Sequence, residues 1–220
     1  MRKTLVLMAM VLVFGAGSAH AGIGTLALWD NYGRPGTQQF TPGLSSALVK
    51  ADNMMRGAGL IADSGIHSFN SKGWNGNSAN DYVQFGFTVA AGYTASLDEM
   101  FISTLSSGKG PGKMGVYTSL DDFANPIHTI LQSDSAFINS VIDLSSLGPV
   151  TGSFTIRLME IGNSGAGGYG STDGSGSFRI GQYAESGMIG ETSAVPIPAA
   201  AWLMGSGLLG MAGFRRRIGK

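Results

Sequence analysis

Asn80-Asp81-Tyr82-Val83-Gln84-Phe85-Gly86-Phe87-Thr88-Val89 is the stretch whose reading decides the fold class. From Asp81 to Val89 the side chains alternate, with Val83, Phe85, Phe87 and Val89 on one side and Tyr82 and Gln84 on the other. A period of two marks a β-strand with one face in a core and the other in water. Ala91-Gly92 follows as turn material, so the spacing predicts a hairpin whose second strand is Tyr93 to Leu105.

The same signal recurs outward in both directions. Thr25 to Trp29 is a short β-prone run, closed by Asp30-Asn31-Tyr32-Gly33 and Pro35-Gly36. Leu48 to Arg56 reads as one strand, Lys50, Asp52 and Arg56 facing one way and Val49, Ala51 and Met55 the other, with a break at Asn53 and Met54. Gly115 to Ser119, Ile127 to Leu131, Ser153 to Ile161 and Ser177 to Tyr183 are further strands; in the third, Phe154, Ile156 and Leu158 oppose Arg157. About eight short strands with no strong helix between them argue for an all-β chain, an antiparallel β-sandwich of jelly-roll type. Gly162 to Ser177 contains seven glycines and is expected to be one long flexible loop.

The ends of the chain differ from its middle. Arg2 and Lys3 precede an apolar run from Leu5 to Phe14, and Ala19-His20-Ala21 before Gly22 offers small residues for signal-peptidase cleavage. An exported protein, entering the Sec translocon and starting at Gly22 when mature, is the expectation. At the other end Thr192 to Phe214 carries no charge, and Arg215, Arg216 and Arg217 follow together. A bilayer core of about 30 Å needs roughly 20 apolar helical residues, so this is a short C-terminal transmembrane helix. Its basic cap belongs in the cytoplasm under the positive-inside rule, with the body outside. The expected organisation is a signal peptide at 1–21, an ectodomain at 22–191 and a tail at 192–220.

With both ends set aside, the charge balance changes sign. All 14 acidic residues lie between Asp30 and Glu191, whereas six of the 14 basic ones belong to the ends. The middle therefore carries eight basic against fourteen acidic side chains, a net charge of −6, which argues against a nucleic-acid or anionic-membrane partner. No cysteine is present, so no disulfide supports the ectodomain even in an oxidising compartment.

Motifs for catalysis are lacking. GxGxxG occurs at Gly110–Gly115, Gly165–Gly170 and Gly205–Gly210, never between a strand and a helix of a βαβ unit. There is no G-x-S-x-G and no H-E-x-x-H, and His67 and His128 stand far apart. Asp98-Glu99 and Asp121-Asp122 are neighbouring carboxylates at strand ends or turns, best read as solvated. Asn75, Asn77, Asn80 and Asp81 supply hard oxygen ligands from one loop, so a structural calcium ion is considered there; no other cofactor is implied.

The tail resembles a known signal. Val195-Pro196-Ile197-Pro198, then Gly205-Ser-Gly-Leu-Leu-Gly210, then Arg215-Arg-Arg217 is similar to the bacterial PEP-CTERM sorting signal, with Ile197 where the family's name motif has Glu. The resemblance implies transient anchoring in the inner membrane and processing by an exosortase-type enzyme. The middle is similar, more loosely, to a β-sandwich domain common among such exported proteins. That likeness rests on Arg56-Gly-Ala-Gly-Leu60, Phe69-Asn-Ser-Lys-Gly-Trp74, Asn80 to Val89, Ser107-Gly-Lys-Gly-Pro111 and Ser119-Leu-Asp-Asp-Phe123; the family usually has Gly at the position of Asp122. The resemblance implies a non-enzymatic protein of the outer surface or extracellular matrix, associated with exopolysaccharide. A glycan-binding sandwich is the form favoured, a secreted glycosidase the alternative and a purely structural matrix protein the third reading. The candidate glycan contacts are Trp74, Asn75 and Asn77: an indole among amides suits the apolar face of a sugar. The same indole can instead fold inward and cap the core.

Overall fold

The computed structural model describes residues 25–76, 79–181, 188–191 and 194–196. The expected cleavage site at Ala19, Ala21 and Gly22, the membrane span, Asn77, Ile197, Pro198 and Arg215–Arg217 lie outside them. Among the described residues no helix is long and apolar enough to cross a membrane.

The described chain is all-β, and its only helical turns are two short 3-10 segments, Ser119–Asp121 and Ser145–Leu147. The principal strands are β1 (Thr25–Trp29), β2 (Gly43–Ser45), β3 (Val49–Ala51), β4 (Met54–Arg56), β5 (Ser68–Lys72), β6 (Tyr82–Val89), β7 (Tyr93–Ser96) and β8 (Glu99–Ser106). They continue as β9 (Lys113–Thr118), β10 (His128–Leu131), β11 (Ile138–Asp143), β12 (Ser153–Glu160), β13 (Ser177–Gly181), β14 (Met188–Glu191) and β15 (Ala194–Pro196).

One large sheet runs β10-β9-β12-β6-β4 and ends on Phe40–Thr41, with β3 also on β6. A second runs from Pro35–Gly36 through β5, β13, β8, β14 and β1 to β2, with β11 on β8 and Ile61–Ala62 on β5. All pairings are antiparallel except the parallel contact of Pro35–Gly36 with β5. A small third sheet places β7 between Pro149–Val150 and β15.

The register of β12 on β6 shows why alternation fixes this arrangement. Phe154 faces Phe87, Ile156 faces Phe85 and Leu158 faces Val83, so one apolar row lies on another, and Arg157 faces Gln84 on the opposite side. Cross-strand pairs of this kind are the unit of sheet stability. The Phe87 and Phe154 ring centroids are 5.4 Å apart. Residues of both large sheets share one core: Trp29 of β1 meets Phe85 of β6 with centroids 5.1 Å apart.

Three expectations are corrected. Tyr93–Leu105 is not the hairpin partner of β6. Both edges of β6 are taken, one by β12 and the other by β3 and β4. The segment divides at Leu97-Asp98 into β7, in the small sheet, and β8, in the second large sheet. Leu48–Arg56 is not one strand. Its register on β6 slips by one residue between Ala51 and Met55, a β-bulge at Asp52-Asn53 that turns Met54 into the core and leaves Met55 exposed. The glycine-rich segment after β12 is not a free loop, because its backbone is laced to Gly108–Gly112. Ala166 donates to Gly110 O, Gly167 to Gly108 O and Asp173 to Lys109 O, and Ser164 O accepts from Gly112. A Cβ at Gly110 or Gly176 would run into neighbouring backbone, which accounts for glycine on both sides of the seam.

Unforeseen by alternation, β5 is buried over Ser68, Phe69, Asn70 and Ser71. Arg56 anchors it. Its guanidinium lies 3.8 Å over the Phe69 ring and donates to Asn70 O, Gln38 O at 2.6 Å and Gly36 O at 2.7 Å. Desolvation pushes the Arg56 pKa down to about 10.

Candidate functional site

Trp74 is fully buried, so the sugar-platform reading of this residue is corrected. Its ring meets Phe178 edge-on with centroids 5.6 Å apart, and its indole N–H donates to Ser71 O at 3.0 Å. A large apolar ring gains more from the core than from water, and its one polar atom finds a carbonyl there. Asn75 is exposed, and its backbone N–H donates to Asp81 Oδ2 at 3.3 Å. Asp81 thus closes the loop from inside, and among the described residues no three acidic or histidine side chains converge as a metal group. His67 and His128 are both exposed and belong to different sheets' surroundings: His67 stacks on Tyr32 and accepts from Gly33 N–H, whereas His128 begins β10.

The chemistry instead gathers on the outer face of the first large sheet. Met55 of β4, Gln84 of β6, Arg157 of β12 and Tyr117 of β9 form one register row across four strands. They face outward because Val83, Phe85, Phe154, Ile156, Leu158, Met114 and Val116 alternate inward. Arg157 is fixed on three sides. It lies 4.1 Å from the Tyr82 ring and 4.0 Å from the Phe123 ring, and its Nε donates to Gln84 Oε1 at 3.1 Å. Two cation–π contacts hold an otherwise flexible side chain in one place.

Phe123 reaches this position through an unusual turn. Asp122 and Phe123 both take left-handed backbone conformations, with φ of 55° and 60°. Such values are uncommon for residues other than glycine and carry strain that the surroundings must offset. The Phe123 N–H donates back to Thr118 O, and the Asn125 N–H donates to Asp121 Oδ2, closing the turn over the sheet.

Beside the turn lies a hollow of about 400 Å³. Tyr117, Phe123 and Met159 give it apolar and aromatic walls; Arg157, Asp122, Asp81 and Glu160 give it polar ones. Burial pushes the Tyr117 hydroxyl pKa up from the ordinary phenol value. Glu160 sits at the buried end, accepting from the Thr172 hydroxyl and from Gly76 N–H. Burial is the largest influence on its carboxyl and raises the pKa above the ordinary carboxylate value; the nearby Asp81 charge adds to this, against the two hydrogen bonds.

These residues escaped the sequence reading for a definable reason. Tyr82 and Gln84 were on the water side of the alternation and Arg157 opposite its apolar row, so their direction was legible. What was not legible is that β6, β12 and β9 are neighbours, which brings the three rows together.

The arrangement defines an all-β protein with an aromatic-walled hollow on the exposed face of a sheet. Comparisons of the chain with protein-family models, with curated proteins and with solved structures find no match.

Proposed function

We propose that this chain is a non-enzymatic, exported cell-surface or matrix protein that binds glycan on the outer face of a jelly-roll-like antiparallel β-sandwich. The observation that carries the reading is the hollow itself. Ring faces at Tyr117 and Phe123 suit the C–H face of a sugar, and the immobilised Arg157, the Tyr117 hydroxyl and Asp122 suit its hydroxyls. Export through the Sec translocon, signal peptidase cleavage before Gly22, and an exosortase-type enzyme acting on the Val195–Pro198 motif and the Arg215–Arg217 cap complete the proposal. Its destination is the outer surface, after transient anchoring in the inner membrane.

A glycosidase is the second reading, and one observation favours it: Asp122 and Glu160 line the same hollow, and Glu160 has the raised carboxyl pKa that a general acid needs. One experiment separates the two. Residues 22–196 are applied to a glycan array, and the retained glycans are then assayed for new reducing ends. Retention without hydrolysis, lost in Tyr117→Ala while the melting temperature stays within a few degrees, is expected. Hydrolysis abolished by Glu160→Gln would establish the enzyme instead, and no retention leaves the structural matrix role.

A further inference from the structure

The same sheet face carries a second hollow, of about 250 Å³, lined by Asp52, Asn53, Met55, Gln84, Gly86 and Thr155. Two local features create it. The bulge at Asp52-Asn53 interrupts the pairing with β6 between Ala51 and Met55, with Asp52 N–H still donating to Gly86 O at 2.8 Å. Gly86, paired with Thr155, contributes no side chain to the floor, and a Cβ there would press on the Phe154 carbonyl oxygen. The two hollows meet at the Gln84–Arg157 hydrogen bond, since Gln84 lines the second and Arg157 the first. From Thr155 in one to Met159 in the other is four residues of β12, about 13 Å along the strand. That span exceeds one sugar ring.

Charge narrows the ligand further. Asp52 at the second hollow and Asp122 at the first are exposed carboxylates, and Asp81 and Glu160 are buried at the first hollow's inner end. The one cation in either lining is Arg157, held against the Tyr82 and Phe123 rings. A polyuronate or sulfated chain laid along this face would meet an exposed carboxylate at each hollow, Asp52 at one and Asp122 at the other. Neutral hydroxyls meet acceptors at every step.

Resting on the glycan-binding reading above, we infer that the two hollows are successive subsites for an internal segment of a linear, neutral polysaccharide, with the Gln84–Arg157 pair as the saddle between them. The second hollow makes binding depend on chain length, and the acidic lining rejects polyanions.

The test is calorimetric titration with disaccharide-to-hexasaccharide series of neutral glucan, mannan and galactan, and with a hexauronate of matched length. For at least one neutral series the hexasaccharide is expected to bind ten-fold or more tightly than the disaccharide, and the hexauronate at least ten-fold more weakly than that hexasaccharide. Thr155→Trp, and separately Asn53→Trp, fill the second hollow; each should erase the length dependence and leave disaccharide affinity intact, with circular dichroism and melting confirming the fold. Tyr117→Ala should remove both. Equal affinity for short and long ligands, with Tyr117 still required, overturns the two-subsite inference and keeps the glycan reading. Tighter binding of the hexauronate overturns the neutral class, and no binding in any series overturns both.

Discussion

Strands β6 and β5 solve the same problem in opposite ways. β6 buries Val83, Phe85, Phe87 and Val89 on one face and turns Tyr82, Gln84 and Thr88 to the other. β5 is buried through Ser68, Phe69, Asn70 and Ser71, on both faces, although three of those four side chains are polar. Its burial is made tolerable by hydrogen bonds: Asn70 Nδ2 donates to Ser64 O at 2.6 Å, Ser68 Oγ to Gly65 O at 2.6 Å, and Arg56 to the Asn70 carbonyl. One strand is held by transfer of apolar surface from water, the other by exchange of polar partners for water. Only the first leaves a periodic mark in the sequence.

Truncating the apolar side of this comparison should have the largest effect. Phe85→Ala, which empties the contact with Trp29, and Trp74→Ala, which removes the indole against Phe178, should each lose about 3–5 kcal/mol in urea unfolding. A loss below about 1 kcal/mol at Trp74 would put the ring back in solvent. On the polar side Arg56→Met strips donors from Gly36, Gln38 and Asn70 carbonyls, and about 2–3 kcal/mol of destabilisation is expected. Arg56→Lys should not restore it, because an ammonium lacks the planar fork that reaches three carbonyls. If Arg56→Met is neutral, the contrast between the two strands collapses.

The smallest effect is one of pH. Because burial raises the folded-state pKa of Glu160, the folded chain holds that proton more tightly than the unfolded chain does. Its stabilising contribution is therefore full below the ordinary carboxylate pKa and is lost as pH rises through the raised value. Melting curves of the parent and Glu160→Gln from about pH 4 to about pH 8 should show the parent losing ground to the variant as pH rises. A constant difference would mean that the carboxyl is not desolvated.

This contrast also explains how much was legible in advance. β12 and β6 were read within a residue of their limits because each sets apolar side chains inward at a period of two. β1 was read at its observed limits, Thr25–Trp29, as a β-prone run closed by turn residues, its buried Leu26, Ala27 and Trp29 not alternating. β5 and β11 were missed. The first hides polar side chains, and the second alternates Ile138, Asn139, Ser140 and Val141 with only Ile142 fully buried. The Asp52-Asn53 bulge exchanged the faces of Met54 and Met55, since one inserted residue reverses everything beyond it. Of the two readings of Trp74 the inward one holds and the glycan contact does not, since amide-rich neighbours describe a loop, not the direction of a ring. Tyr117, Phe123 and Arg157 were visible as residues, but their meeting depends on pairings between β9 and β12 and on the left-handed turn at Asp122-Phe123.

The position of β14 has a bearing on when this molecule can exist at all. β14 lies between β1 and β8, with Glu191 opposite Thr25, so the first strand of the described chain acquires one of its two neighbours from nearly the last. Emerging from a ribosome or a channel, residues 25–181 can collapse and pair locally, but β1 keeps an open edge until residue 191 is free. Closure across so long an intervening chain is slow compared with hairpin formation. Completion of the sheet is thus a timer set by residues 188–191: until they are released, β1 has only one of its two neighbours and the fold stays open along that edge.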